Sequence, residues 1–168
     1  MNYYSKSGFT LIETLVAITI LMVGVIGPLL IATRGITDGM YAKNKIIATY
    51  LAQEGLDLVI NKRNSNVLTG GDQFDGLAGA CSVSCAAFVD SRGIFQINPT
   101  NCAGGGCDLK YDSTSGLYTN IGDSGLAFSR KIVITQIGDG LDVQITMNWN
   151  NRGNAQTFIL DSYIYAIR

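Results

Sequence analysis

The chain has 168 residues, a formal net charge of −1, four cysteines and no histidine. That length suits one globular domain plus one extended element, and the scattered Lys and Arg form no concentrated basic face, so no specific nucleic-acid partner is expected. The lack of histidine removes the commonest general base and zinc ligand and every Ser-His or Cys-His pair, which points to a protein that is not an enzyme and carries no cofactor or metal.

The mean hydropathy of +0.23 is uneven along the chain. Residues 1–8 form a short polar leader whose only basic side chain is Lys6. From Phe9 to Ala32 the sequence FTLIETLVAITILMVGVIGPLLIA is apolar except for Thr10, Glu13, Thr14 and Thr19. As a helix rising ~1.5 Å per residue, such a run is roughly 36 Å long and spans a bilayer. Lys6 then stays on the cytoplasmic side and the C-terminal bulk lies outside, giving a single pass. A secretory signal peptide has an apolar core of ~7–15 residues ending in small residues, whereas this run is longer and continues into further helix, so it is expected to be retained.

Glu13 sets this segment apart from a plain anchor. An ionised carboxylate costs on the order of 2.5–3.5 kcal/mol near the middle of a bilayer. Either it lies near enough to the cytoplasmic interface to remain hydrated, or it meets a cationic partner within the membrane.

Ser7-Gly8-Phe9-Thr10-Leu11-Ile12-Glu13-Thr14-Leu15-Val16-Ala17 resembles the processing motif of type IV prepilins and type II secretion pseudopilins. The likeness combines a short leader ending in glycine, an aromatic residue directly after it, a glutamate at the fifth position beyond the junction and a long apolar helix. The resemblance implies that a membrane-embedded prepilin peptidase, which requires Gly8, cuts between Gly8 and Phe9 and methylates the new amine of Phe9. It further implies that Glu13 of an incoming subunit meets the N-terminal amine of a neighbour in a filament, so that two charges costly in lipid offset each other.

Gly24, Gly27 and Pro28 interrupt the apolar helix. Pro28 removes a backbone donor and crowds the preceding turn, so a kink or local unwinding is expected there; the resemblance implies that this stretch bends or partly melts on assembly. Beyond it, Met40, Ile47, Leu51, Leu58 and Val59 keep helical spacing, with Ile36, Ile46, Tyr50 and Leu56 widening the apolar face. The expected stem covers residues 34–62 as a continuous but bendable helix, which Gly35, Gly39 and Gly55 weaken by ~1 kcal/mol each relative to alanine. Ala48-Thr49-Tyr50-Leu51-Ala52-Gln53-Glu54-Gly55-Leu56 looks like the stem of minor pilins and certain pseudopilins.

Residues 61–120 are rich in Gly, Asn, Ser and Asp and read as loops with short strands near 87–90, 94–97 and 109–111. Three stronger strands follow over 128–137, 141–149 and 156–167, separated by Asp139-Gly140 and by residues 150–154, which predicts an antiparallel meander. Leu141, Val143, Ile145, Met147 and Trp149 alternate with polar residues, and that apolar face suits the stripe on the stem. The fold class is therefore α+β: a long N-terminal helix, membrane half plus amphipathic stem, packed on a C-terminal antiparallel sheet, pilin-like by resemblance. The expected segments are a leader (1–8), a transmembrane and assembly helix (9–33), a stem (34–62) and a head (63–168).

Cys81/Cys85 and Cys102/Cys107 form two close pairs, and outside the cytoplasm disulfides are the default. Their spacings do not fit a zinc ribbon. Local pairing is preferred, with crossed pairing between the loops left open. Asp108, Asp112, Asp123 and Asp139 lack the ligand spacing of an EF-hand loop and read as turn residues. The Cys102–Cys107 loop lacks the Lys-Ser/Thr of a phosphate cradle.

The functional expectation is a structural subunit, minor pilin or pseudopilin, of a type IV pilus, competence or type II secretion filament. Its partners would be other pilin or pseudopilin subunits, prepilin peptidase, the inner-membrane assembly platform and membrane lipid. It would sit first in the cytoplasmic membrane with its head outside, then in a cell-surface or periplasmic filament. The alternative is an extracytoplasmic binding or adhesion module that is anchored but does not assemble.

Overall fold

A computed structural model describes residues 8, 10–79, 81, 85–89, 95–99, 102, 106–119 and 128–167. Among these described residues one helix, α1, runs from Leu11–Leu68, followed by seven strands: β1 (Cys85–Val89), β2 (Phe95–Pro99), β3 (Asp108–Asp112), β4 (Leu117–Thr119), β5 (Phe128–Ile137), β6 (Gly140–Asn151) and β7 (Asn154–Tyr165). The chain divides into two units, Met1–Ala42 and Lys43–Arg168.

In the first unit the large apolar side chains, including Leu11, Ile12, Leu15, Leu21, Val23 and Ile31, are exposed. Among the described residues this is the one helix long and apolar enough to cross a membrane. The hydroxyls of Thr14 and Thr19 donate to the carbonyls of Leu11 and Val16, each at 2.8 Å. Their polar groups are thus satisfied within the helix, the condition lipid imposes on any spanning segment.

In the second unit the helix buries Asn66 near its end and, before it, Ala48, Leu51, Ala52, Gly55, Leu58 and Val59. Spaced at i, i+3, i+4, i+7, i+10 and i+11, they make one stripe. Leu51, Leu58 and Val59 lie in the expected face, whereas Ile46 and Tyr50 turn outward and remain exposed. The stripe packs with Phe128, Ile132 and Ile134 of β5 and the alternating Leu141, Val143, Ile145, Met147 and Trp149 of β6. The far end of β5 leaves the core, with Thr135, Gln136 and Ile137 all exposed.

Strands β5, β6 and β7 form the predicted meander, with Ile132 opposite Ile145 and Ile145 opposite Leu160. The β5–β6 turn differs by one residue from expectation: Ile137 pairs with Gly140, so Gly138 and Asp139 make the turn. Gly138 takes a positive φ of 61°, which glycine adopts without steric cost. At the β6–β7 turn both Arg152 (φ 53°) and Gly153 (φ 87°) are left-handed, the requirement of a type I′ hairpin.

The second edge of β5 is shared by two hairpins. Strand β1, paired with β2, meets it at Cys85–Ile132, and β3, paired with β4, meets it at Asp108–Ser129 and Leu109–Phe128. Strand β4 has no counterpart among the expected strands.

Among the described residues one charged side chain enters the core. Arg130, only 1% exposed, points from β5 to the helix, where its guanidinium donates to the Leu51 carbonyl (2.6 Å) and to Glu54 Oε2 (2.8 Å). Burial pulls its pKa down and the Glu54 carboxylate pulls it up. Gly55 makes room for it, since a Cβ there would lie 3.0 Å from Arg130 Cδ and 3.4 Å from the Ile132 and Ile145 methyls. Within this unit, stem on sheet completes the α+β, pilin-like arrangement.

Candidate processing and assembly site

The start of α1 is built by Thr10. Its carbonyl accepts from the amides of Glu13 (3.1 Å) and Thr14 (3.2 Å), and its hydroxyl accepts from the Glu13 amide at 3.4 Å. Thr10 is therefore the N-cap and Glu13 the third helical residue, the S/T-x-x-E arrangement of a capping box. This signal was legible in Thr10-Leu11-Ile12-Glu13, although sequence reasoning passed over it in favour of Glu13 alone.

Its consequence is electrostatic. Glu13 occupies the first turn of a helix, where unsatisfied amides and the macrodipole favour negative charge by typically 0.3–1 kcal/mol. That offsets a fraction of the membrane cost quoted above, so the helix alone does not balance a carboxylate in lipid.

Gly8 is exposed, and a Cβ built on it meets no heavy atom within 4 Å. Local packing gives no reason for glycine at that position. Phe9, the other expected processing residue, lies outside the described residues. Gly24, Gly27 and Pro28 fall inside the uninterrupted helix. Proline lacks the amide that would reach the Gly24 carbonyl four residues back, and added Cβ atoms at Gly24 and Gly27 would enter open space.

The cysteines belong to the other unit, as disulfides Cys81–Cys85 and Cys102–Cys107. Asp112, one of the turn aspartates, accepts from the amides of Thr114 and Ser115 and from the Ser115 hydroxyl. No group of His, Cys, Asp and Glu suited to a metal occurs among the described residues.

A leader glycine without a packing role, a capped helix start and a carboxylate at the head of an exposed apolar helix make one linear site. Residues 4–27 match a family model described as the prokaryotic N-terminal methylation motif. The chain carries a prepilin-type N-terminal methylation motif. This motif is consistent with a type IV pilin-like protein, processed by prepilin peptidase and assembled with other pilins, and it points to a structural role rather than an enzymatic one. With the apolar helix, the methylation motif fits a membrane-anchored pilin. No curated protein and no solved structure matches the chain.

Proposed function

We propose that this protein is a minor pilin or pseudopilin, a non-catalytic subunit of a type IV pilus, competence or type II secretion filament. The observation that carries the reading is Glu13, a carboxylate at the start of a helix otherwise built for lipid. In this reading cleavage after Gly8 frees a cationic amine on Phe9, and Glu13 of one subunit meets the amine of another during assembly. The pairing removes two unfavourable charges together and rejects any register that leaves either alone. The inner-membrane assembly platform and membrane lipid are the other partners, with Lys6 inside, the head outside and a single pass between. Gly24, Gly27 and Pro28 form the place where the helix yields as a subunit leaves the bilayer. The stem segment from Ala48 to Leu56 favours the minor or pseudopilin subclass.

The test compares wild type with Glu13→Ala and Glu13→Gln. The expected result is normal removal of residues 1–8 in all three, with incorporation into sheared filaments reduced at least tenfold in both variants. Normal incorporation of Glu13→Ala defeats the pairing. A wild-type chain that keeps Met1 when isolated from membranes supports the alternative, an anchored binding module that does not assemble.

A further inference from the structure

We propose that the two disulfides of the head are unequal latches on the second edge of β5: Cys102–Cys107 is openable by dithiols, and Cys81–Cys85 is sealed. Strand β6 covers one edge of β5 along its whole length. On the other edge, the Ile134 amide donates to the Cys81 carbonyl at 2.9 Å, Cys85 pairs with Ile132, the Arg130 amide donates to the Cys107 carbonyl at 2.8 Å, and Asp108 and Leu109 pair with Ser129 and Phe128. Successive positions of this edge are thus met by cystine residues or by residues one or two positions beyond one. An uncovered edge is a row of unpaired backbone groups open to another strand.

The sequence between Cys102 and Cys107 is Ala-Gly-Gly-Gly, and glycine loses more backbone entropy on ordering than any other residue. A cross-link across five positions removes much of that cost by restricting the open chain. Cys102 itself sits at a positive φ of 55°, a conformation that non-glycine residues rarely hold without outside constraint.

Access separates the two bridges. Thiol–disulfide exchange requires a thiolate to reach a sulfur. Cys81 and Cys85 are both 0% exposed and Cys107 is 2% exposed, while Cys102 is half-buried. Entry of a dithiol is assigned to Cys102, the one of the four cystine residues that is not buried. Its first thiolate bonds to Cys102 Sγ as the Cys102–Cys107 bond breaks, and Cys107 leaves as a thiolate that takes up a proton. The second thiolate then closes on the mixed disulfide and releases Cys102 as a thiol. The dithiol loses two electrons and two protons, which the two cysteines gain. The Arg130 amide and the short β3 pairing lose their clamp, whereas the Ile134 amide keeps its own.

The experiment treats the full chain in detergent micelles with increasing dithiothreitol, alkylates free thiols with iodoacetamide for mass mapping, and follows amide exchange by NMR. Cys102 and Cys107 are expected to label while Cys81 and Cys85 stay oxidised, with exchange at the Arg130 amide rising at least tenfold and exchange at Ile134 unchanged. The Cys102→Ser/Cys107→Ser double variant should show the same exchange pattern without reductant; if it does not fold, the wild-type titration decides alone. Labelling of all four cysteines together, earlier labelling of Cys81 and Cys85, an unmoved Arg130 amide, or loss of protection at Ile134 alongside Arg130 overturns the proposal.

Discussion

Gly55 and Gly39 show at the scale of single residues how one residue type serves opposite ends in the same helix. Both cost about 1 kcal/mol of helix propensity relative to alanine. Around Gly39 a Cβ meets nothing within 4 Å, whereas at Gly55 it meets Arg130 Cδ at 3.0 Å. The arginine cannot step aside cheaply, because its guanidinium is held by the Leu51 carbonyl and Glu54. Gly39→Ala is therefore expected to stabilise the helix by up to about 1 kcal/mol. Gly55→Ala gains the same propensity but forces overpacking that typically costs 1–3 kcal/mol, and it should destabilise on balance. Denaturant unfolding in micelles measures the second effect, read from the fluorescence of Trp149, the single tryptophan, which is buried beside Phe128. A Gly55→Ala chain more stable than wild type would mean the stem does not need close approach. Part of this was legible: period-two alternation through Phe128, Ile132 and Ile134 places Arg130 on the inward face. What the sequence does not reveal is the partner across the core, since nothing local to Glu54-Gly55 distinguishes a packing glycine from a helix-weakening one.

Among the elements, the β5–β7 meander was legible because alternation and turn residues agree, and the stem because its stripe persists over several turns. The helix end was not. Asn61, Asn64, Ser65 and Asn66 are mediocre helix formers, yet α1 continues past the expected end at Lys62 to Leu68. Tertiary bonds override propensity there: the buried Asn66 amide donates to the Gln73 and Asp75 carbonyls, and Arg63 donates to the Tyr165 carbonyl. Strand β4 escaped notice because it has only three residues, too few for a period to register. Its hairpin depends on Asp112, whose pKa is lowered from the usual 3.8 by the Ser115 hydroxyl first and by the Thr114 amide next. A depressed folded pKa contributes stability that is present above the unfolded value and lost as pH falls through the folded one. The Thr114 and Ser115 amide resonances should therefore hold steady from neutral pH down to about pH 4 and move only below the usual carboxylate value. In Asp112→Ala that acid transition should vanish from both amides. Amide shifts that titrate above the usual value would show that the turn does not favour the carboxylate.

On the scale of the whole molecule, Gly8 separates the demands of folding from those of processing. Where a glycine is fixed by a left-handed backbone, as at Gly138 and Gly153, or by a neighbour, as at Gly55, replacing it must lower stability. Gly8 has open space around its Cα, so Gly8→Val is expected to change stability by less than about 0.5 kcal/mol, the range of exposed substitutions away from special features. If a peptidase instead reads the residue before the scissile bond, the same variant accumulates as uncut precursor. The two demands leave different marks on one sample. Intact mass should show Met1 retained in Gly8→Val and a chain beginning at a methylated Phe9 in wild type, while the denaturant midpoint reported by Trp149 coincides in the two. A variant trimmed as efficiently as wild type would remove Gly8 from the processing site, and a variant with a lowered midpoint would assign the glycine to folding after all.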